Sequence, residues 1–330
     1  MKKIAINGFG RIGRAAFKIA LSRNDIKVVA INDLADAHTL AHLLKYDTAY
    51  GVYEREVSSQ DDAILVNGIQ FPVLKKADPK ELPWGDLEVD VVLECTGKFV
   101  KHDDAKMHLD AGAKKVILSA PSKGGGVPTA ILGVSDESMF QEGDFFSNAS
   151  CTTNCITPVV EVIERVFGIE KAMMTTIHSY TADQRLQDSP HDDMRRARAA
   201  GANIVPTTTG AAIATTEVIP SLSGKFDGLS MRVPTIVVSL SDMTFVLKRN
   251  ASVEEINNAL IEASREKRYQ GILGVTDKPL VSSDFIGDAR SSIVDLALTK
   301  VVDGNLAKVV SWYDNEWAYS QRLVEMAQKV

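Results

Sequence analysis

The sequence predicts an α/β protein with two domains: a doubly wound parallel sheet, then an α+β domain with a mixed or antiparallel sheet. Three observations predict this fold class. The chain has 330 residues, 45% of them hydrophobic, so it exceeds one ordinary domain and can bury a large core. Its first half alternates short apolar runs with helix-period segments. Its second half contains longer β-type runs.

The first half opens with a β-α-β unit. Residues 2–7 and 26–31 are β-type runs, and residues 11–22 carry apolar side chains at helical spacing. The right-handed crossover that such a unit adopts makes its two strands parallel. The same sheet is expected to continue through strands at 89–93 and 115–118, separated by a helix at 103–111 that Gly112 ends.

The β-type runs of the second half differ in length and polarity. They cover residues 171–177, 229–233 and 236–247. Asp242 and neighbouring Ser and Thr residues predict one solvated face, as in an antiparallel or mixed sheet covered on one side. An amphipathic helix is expected at 253–266.

Composition excludes several classes of function. The formal net charge is −6, so the protein presents no positive field for nucleic acid or anionic lipid, and no partner of either kind is expected. The amino terminus lacks a secretory pattern, and no apolar stretch is long enough for a membrane span. Three cysteines are too few for a disulfide framework, which favours a reducing, cytoplasmic location.

A glycine-rich motif lies between the first strand and the first helix. It reads Gly8-Phe9-Gly10-Arg11-Ile12-Gly13, and G-x-G-x-x-G in this context lets the backbone approach a pyrophosphate at a helix N-terminus. Asp33 follows twenty residues beyond Gly13, at the end of the second strand, where a carboxylate accepts from ribose hydroxyls and repels the extra phosphate of NADP. The motif predicts a Rossmann-type domain that binds NAD.

Alternatives remain open at this edge. Asp33 could instead be a turn or helix-cap residue. Thr96-Gly97 and Ser119 end later strands, where ligands bind in open α/β sheets, although small polar residues are common there.

Cys151 is the candidate nucleophile. It lies in the first turn of a predicted helix with Ser150 as N-cap, and a helix start lowers the pKa of a thiol. Pro158 is expected to kink this helix or remove a hydrogen bond. Cys151 and Cys155 could also be inert buried cysteines, a reading that the polar surroundings oppose only for Cys151. No metal site is expected, since the sequence has no close C-x-x-C pair.

His178 is the candidate base, because it directly follows the β run 173–177. A structural histidine is the alternative. The other five histidines lie in charged or helical stretches and are expected to be solvent-exposed: His38, His42, His102, His108 and His191.

Two segments could bind an anion. Arg232 stands in an apolar run, where an unpaired guanidinium is costly and should meet an acid or a bound anion. Thr207-Thr208-Thr209-Gly210 offers hydroxyls and a flexible backbone suited to phosphate, though a plain turn has the same composition.

Four motifs together closely resemble the glyceraldehyde-3-phosphate dehydrogenase family. They are Ile6-Asn7-Gly8-Phe9-Gly10-Arg11-Ile12-Gly13-Arg14, Ser147-Asn148-Ala149-Ser150-Cys151-Thr152-Thr153-Asn154, Pro206-Thr207-Thr208-Thr209-Gly210-Ala211-Ala212 and Ser311-Trp312-Tyr313-Asp314-Asn315-Glu316. The likeness extends from the first strand to the terminal helix.

The resemblance implies a reaction and its residues. Cys151 would attack glyceraldehyde 3-phosphate, His178 would assist proton transfer, hydride would pass to NAD, and inorganic phosphate would cleave the thioester to give 1,3-bisphosphoglycerate, in glycolysis or gluconeogenesis. The implied phosphate-binding residues are Ser150, Thr152, Thr181, Arg196, Thr209, Gly210 and Arg232. The implied cofactor-binding residues are Arg11, Ile12, Asp33, Ser119 and Asn315. A homotetramer is implied as well.

Some positions depart from the family pattern, which leaves the strictness of NAD over NADP open. Ala318 replaces a usual glycine, Ala77 falls where a basic residue often stands, and the stretch 188–193 is one residue short; Lys76 could substitute for the basic residue. An erythrose-4-phosphate dehydrogenase and a non-catalytic nucleotide-binding or interaction protein are the competing functions.

The patterns of the two halves and the resemblance together imply the domain boundaries. We expect a NAD-binding Rossmann domain at 1–150, a catalytic domain at 151–314, and a C-terminal helix at 315–330 that returns to the first domain.

Overall fold

The computed structural model describes all residues from 1 to 330. The chain forms two compact units, each with its own sheet. The first unit comprises residues 1–130, 136–149 and 320–330, and the second comprises residues 131–135 and 150–319. No helix combines the length and apolar composition needed to cross a lipid bilayer.

The first unit is built on ten strands and three helices. The strands are β1 (Lys2–Asn7), β2 (Ile26–Asn32), β3 (Tyr46–Asp47), β4 (Gly51–Val52), β5 (Val57–Gln60), β6 (Ala63–Val66), β7 (Ile69–Pro72), β8 (Val91–Glu94), β9 (Lys115–Leu118) and β10 (Phe145–Ser147). The helices are α1 (Arg11–Leu21), α2 (Ala37–Lys45) and α3 (His102–Asp110).

Five of these strands form one parallel sheet in the order β10-β9-β8-β1-β2. The four strands predicted for this half are all present in it, and the doubly wound sheet is confirmed. Because the chain moves from β1 to β2 on one side and later to β8 on the other, the strand order reverses between β1 and β8. Ligands of open α/β sheets bind at this reversal, outside the carboxyl ends of the strands.

Local chemistry accounts for the predicted helix end after α3. Gly112 has φ +101°, a left-handed conformation that glycine adopts without strain. A Cβ at Gly112 would lie 2.6 Å from the Cα of Gly85, so the close approach of two backbone segments also requires glycine.

The second unit contains eight strands and the remaining helices. The strands are β11 (Ile169–Ser179), β12 (Val205–Thr208), β13 (Phe226–Val233), β14 (Ser239–Leu247), β15 (Leu273–Thr276), β16 (Ser292–Asp295), β17 (Lys300–Val302) and β18 (Leu306–Tyr313). The helices are α4 (Cys151–Phe167), α5 (Ala211–Val218), α6 (Val253–Arg265) and α7 (Trp317–Lys329), of which α7 continues into the first unit from Ser320.

The sheet of the second unit is mixed, as predicted. Its order is β12-β13-β11-β14-β18-β16-β15, with β17 paired to β18. β11 runs parallel to β13 and antiparallel to β14. Along β14, buried residues alternate with half-buried ones, and the half-buried Asp242 forms an ion pair with Lys308 at 2.5 Å. The strand begins at Ser239 rather than at the predicted residue 236.

Helix α4 is continuous over 17 residues although it contains Pro158. The backbone hydrogen bond that Pro158 cannot donate is lost, as predicted, and the helix nevertheless continues through it. The helix is buried on most of its surface, Pro158 included, and such tertiary packing outweighs the loss of one backbone hydrogen bond.

Candidate active site

Cys151 is the first residue of α4. The hydroxyl oxygen of Ser150 caps this helix by accepting a hydrogen bond from the Thr153 N–H at 3.0 Å. The cap fixes the first turn and therefore the direction of the Cys151 side chain.

His178 lies next to Cys151. The Cys151 Sγ and the His178 Nε2 are 3.4 Å apart, within reach of a hydrogen bond to sulfur. His178 is the penultimate residue of β11, and the long strand places it beside the first turn of α4. The structure thus joins the two residues that the sequence proposed as nucleophile and base.

The Ser179 carbonyl and the Arg232 guanidinium both contact His178 Nδ1. The carbonyl oxygen, which only accepts, lies 2.7 Å away, and Arg232 Nη1, which only donates, lies 2.9 Å away, so the two contacts favour opposite tautomers. The tautomer with its proton on Nδ1 makes the shorter contact and leaves the lone pair on Nε2, which faces the thiol. Burial and the nearby Arg232 guanidinium lower the pKa of His178 to about 3, so the ring is neutral at physiological pH.

The pKa of Cys151 differs from the prediction. Burial raises the pKa of this thiol, whereas the positive charge of Arg232 and hydrogen bonds from Thr152 act in the opposite direction. The predicted lowering by the helix start is therefore wrong as a net effect, because desolvation of the thiolate is the larger contribution. A thiol with a raised pKa needs a base, and His178 is in contact with the Cys151 sulfur.

Cys155 is fully buried one helical turn further along α4. Burial raises the pKa of its thiol to about 12, so it stays protonated. Its sulfur lies 3.9 Å from the Ser292 hydroxyl and the Ser311 carbonyl, which makes it part of the core.

Arg232 stands directly opposite His178 in the parallel pairing of β11 with β13. Its Nη1 donates to the Ser179 carbonyl at 3.2 Å and lies 2.9 Å from His178 Nδ1. No carboxylate lies within 4 Å of this guanidinium, and desolvation lowers its pKa. A half-buried cation without an acidic partner next to the nucleophile is suited to bind an anion.

Arg196 is close enough to Arg232 for the positive charge of Arg196 to lower the pKa of the Arg232 guanidinium. Its own guanidinium is already bound to Asp183 at 2.5 Å and to the Thr207 hydroxyl at 2.8 Å. Thr181 precedes Asp183 in the same loop and is half-buried, and its carbonyl accepts from the Gln184 N–H. An anion at Arg196 would compete with these bonds.

The remaining residues with an implied phosphate role occupy two helix starts. The hydroxyl of Thr209 accepts from the Ala211 N–H at 3.2 Å, and Gly210 precedes α5 without a capping side chain. Thr152, by contrast, is buried, and its hydroxyl is bound to the Tyr313 hydroxyl at 2.8 Å. The side chain of Thr152 is therefore held within the core.

Tyr313 is a residue of the site that no sequence pattern indicates on its own. Its buried hydroxyl contacts both Thr152 and Thr176, at 2.8 and 2.9 Å. Its ring meets the His178 ring edge to face, with centroids 6.1 Å apart. The only available signal was its place within the motif from Ser311 to Glu316.

Asn315 is buried two residues after β18, beside the last residue of β11 and the first residue of β14. Its Oδ1 accepts hydrogen bonds from the hydroxyls of Ser179 and Ser239, at 3.0 and 3.2 Å. Val238, just before Ser239, has φ +72°, which is a strained conformation for a β-branched residue. The amide of Asn315 is thus held in one orientation in the second unit.

The glycine-rich turn of the first unit has the shape that a dinucleotide requires. A Cβ at Gly13 would overlap the Gly8 carbonyl, so the turn is closed tightly. At Gly10, a Cβ would meet no atom within 4 Å, and no side chain caps α1 there. The open space at the uncapped helix start fits the pyrophosphate of NAD.

Asp33 is directed at this turn. One carboxylate oxygen accepts from the Phe9 N–H at 2.7 Å, and the other accepts from the Ala35 N–H at 3.0 Å. The half-buried Asp33 therefore stabilises a turn, which was the alternative that the sequence left open. The same side chain also lies beside the glycine motif.

The other residues with an implied cofactor role surround the same edge of the sheet. Arg11 forms an ion pair with Asp47 at 3.2 Å, and the Ile12 carbonyl accepts from the Ser320 hydroxyl. The Ser119 N–H donates to the carbonyl of Glu94, the last residue of β8.

One prediction about the histidines is wrong. His108 is completely buried rather than exposed, with its ring nitrogens 3.0 Å from Trp84 Nε1 and 3.1 Å from a carboxylate oxygen of Glu94. Its helix looks solvated in sequence, but one face packs against these two residues from elsewhere in the chain. His38 and His42 are exposed, as predicted, while His102 and His191 are partly buried.

A dinucleotide-binding turn in one unit and a paired cysteine and histidine in the other define a class of protein: a dinucleotide-dependent enzyme with a thiol nucleophile. Comparison with known proteins narrows this class. Residues 2–102 match the family model "Glyceraldehyde 3-phosphate dehydrogenase, NAD binding domain", and residues 150–315 match the model of the C-terminal domain of the same family.

Relatives align along almost the whole chain. A glyceraldehyde-3-phosphate dehydrogenase of Geobacillus stearothermophilus is 52% identical over 326 residues, which cover 98% of this chain and 97% of that protein. One of Borreliella burgdorferi is 52% identical over 334 residues, covering 99% of each chain. The chain belongs to the glyceraldehyde-3-phosphate dehydrogenase family.

Proposed function

We propose that this protein oxidises D-glyceraldehyde 3-phosphate with NAD and inorganic phosphate to 1,3-bisphosphoglycerate, in glycolysis or, run backwards, gluconeogenesis. The observation that carries the proposal is the contact of Cys151 with neutral His178, next to an Arg232 that lacks an acidic partner. Membership in the family supports the choice of aldehyde and cofactor.

In this mechanism His178 Nε2 accepts the thiol proton and passes it to the aldehyde oxygen while the sulfur of Cys151 bonds to the aldehyde carbon. The resulting hemithioacetal loses a hydride from that carbon and its hydroxyl proton to His178, which leaves a thioester on Cys151. NAD, when bound, would supply the hydride acceptor. Inorganic phosphate then attacks the thioester carbon, the carbon–sulfur bond breaks, and the Cys151 thiolate departs and recovers its proton from protonated His178 as the acyl phosphate is released.

We assign the phosphate groups of the substrates to the residues around this pair. Arg232 supplies the central positive charge, and Arg196 a second one. Hydroxyl and backbone donors complete the proposed set: Ser150, Thr152, Thr181, Thr209 and Gly210. Since the Thr152 hydroxyl is bound to Tyr313, we expect Thr152 to act through its position in α4.

We assign NAD to the first unit and propose a NAD-binding domain at 1–150, a catalytic domain at 151–314 and a returning helix at 315–330. The glycine turn at Gly10 holds the pyrophosphate, and Asp33 accepts from the adenosine ribose. Arg11, Ile12, Ser119 and Asn315 are further proposed contacts. Asn315 is supported by its fixed amide, which the two serine hydroxyls orient.

A homotetramer in the cytoplasm completes the proposal. Large apolar side chains on the loop after β11 support an oligomer, because Leu186, Met194 and Ile204 are 85%, 80% and 70% exposed. Three free cysteines support a reducing compartment.

One assay tests the reaction. NADH formation is measured at 340 nm with glyceraldehyde 3-phosphate or erythrose 4-phosphate, with NAD or NADP, and with phosphate present or omitted. We expect the highest kcat/KM with glyceraldehyde 3-phosphate, NAD and phosphate together. A better rate with erythrose 4-phosphate, or a rate independent of phosphate, contradicts the proposal.

A further inference from the structure

Three buried polar side chains of the first unit have no part in the proposed reaction. Asn7, Glu94 and His108 are 1%, 2% and 0% exposed, and they form one hydrogen-bonded chain below the carboxyl edge of the parallel sheet. Burying three such groups is costly unless each bond is satisfied, so their arrangement calls for a physical explanation.

Trp84 determines which ring nitrogen of His108 carries the proton. The Trp84 indole N–H can only donate, and it lies 3.0 Å from His108 Nδ1, which must therefore accept. The ring proton is then on Nε2, which donates to Glu94 Oε2 at 3.1 Å. His108 therefore connects Trp84 to the carboxylate of Glu94 through one hydrogen bond on each side of its ring.

Glu94 is surrounded by donors. Its Oε2 also accepts from Asn7 Nδ2 at 2.5 Å. Its Oε1 accepts from the N–H of Thr96 at 2.8 Å and from the Thr96 hydroxyl. A carboxylate with two fixed oxygens can hold the backbone of Thr96 in only one orientation.

The position of this chain in the sheet connects it to the cofactor site. Asn7 and Glu94 are the last residues of β1 and β8, and they are partners in the parallel register, at the point where the strand order reverses. Gly8 follows Asn7, and a Cβ at Gly8 would lie 2.7 Å from both the Cys95 carbonyl carbon and the Thr96 nitrogen. The turn after β8 is thus packed backbone to backbone against the glycine turn.

We propose that His108 is a positioning residue for cofactor binding: through Glu94 it fixes the turn 95–97 against the glycine turn that receives NAD. The proposal rests on the NAD site proposed above. Because His108 touches only Glu94, Asn7 and Trp84 among polar groups, its effect is transmitted and not a contact with the cofactor.

Two substitutions separate positioning from packing. His108→Gln keeps an N–H donor near the Nε2 position, whereas His108→Asn places its amide near Nδ1 and cannot reach Glu94. NAD affinity is measured by calorimetry on the purified full-length protein, together with the melting temperature without NAD. We expect His108→Asn to weaken NAD binding about tenfold, as for one lost hydrogen bond to a charged group, and His108→Gln to bind within about threefold of the wild type.

Thr96→Val provides a second variant if His108→Asn does not fold. It removes the hydroxyl that donates to Glu94 and leaves the buried histidine intact, and it is expected to weaken NAD binding. Equal affinities for the Gln and Asn variants, or unaltered affinity in Thr96→Val, overturn the positioning role. If the wild-type protein itself does not bind NAD, the proposed function fails instead.

Discussion

In the proposed mechanism, the reactivity of Cys151 depends on one neutral imidazole, that of His178. Replacing His178 by Asn removes the base while leaving a polar group of similar shape, so kcat is expected to fall by about 10²- to 10⁴-fold. Stopped-flow measurement of NADH formation, together with the rate of Cys151 alkylation by iodoacetamide, tests this. A variant that retains the wild-type rate of both would remove His178 from the mechanism.

Cys155→Ala serves as the matched control for the thiol. The Cys155 side chain is buried and protonated, so its loss should lower the melting temperature slightly and leave both rates near those of the wild type. Loss of alkylation in Cys155→Ala, with Cys151 intact, would show that the wrong thiol has been assigned.

Arg232 gives the site a definite pH dependence. Its positive charge lowers the pKa of the Cys151 thiol and the pKa of His178. In Arg232→Gln the thiol should ionise at higher pH, so the pH profile of alkylation is expected to move to the alkaline side. A profile that stays in place, or moves to the acidic side, contradicts the electrostatic role of Arg232.

At the scale of an element, the start of α1 separates ligand binding from folding. Gly10 has φ −69° and open space around it, so Gly10→Ala should fold with nearly unchanged stability while its Cβ intrudes on the pyrophosphate. We expect NAD affinity to fall about tenfold or more. Calorimetric titration with NAD and thermal unfolding of the same sample provide both readouts.

Gly13→Ala is the comparison for that element. Its Cβ would overlap the Gly8 carbonyl, so the variant should lose about 1–3 kcal/mol of stability as well as NAD affinity. If both variants lose stability alike, the open space at Gly10 has no special relation to the cofactor.

The caps of α4 and α6 make a second matched pair. Ser150 caps α4, and Ser252 caps α6 as part of a capping box with Glu255. Each Ser→Ala change should cost about 1 kcal/mol in urea unfolding. Only Ser150→Ala should also lower kcat/KM, because only that cap precedes Cys151. An equal loss of activity in Ser252→Ala would show that the loss in Ser150→Ala comes from lower overall stability and not from the position of Cys151.

At the scale of the molecule, the sequence predicts those features that depend on residues close together in the chain. The β-α-β unit, the glycine turn and the cap at Ser150 follow from residue periodicity and from residues within one turn of each other. The paired Cys151 and His178 were found because each lies at the end of a recognisable element.

Other features depend on contacts between distant parts of the chain. The burial of His108 comes from Trp84 and Glu94, 24 and 14 residues away in sequence, and the role of Tyr313 from Thr152, 161 residues away. The raised pKa of Cys151 reflects burial by the whole unit, which outweighs the local effect of the helix start. Periodicity contains no information about such contacts.

The loop between β11 and β12 leads to a prediction about assembly. It is folded back on itself, since the Arg185 N–H donates to the Arg196 carbonyl and Arg198 pairs with Asp188 at 2.8 Å. A loop that is internally bonded yet exposes large apolar side chains is expected to be covered by another chain.

Ile204→Asp introduces a charge into this surface, and Ile69→Asp makes the same change at an equally apolar position of β7, where 63% of the residue is exposed. Burying an unpaired carboxylate in an interface is strongly unfavourable, so Ile204→Asp should shift the proposed tetramer towards smaller species, while Ile69→Asp should not. Sedimentation velocity over a range of protein concentrations measures the distribution directly. Tetramers of unchanged stability in Ile204→Asp would place the interface on another surface, and monomers in the wild type would exclude the proposed assembly.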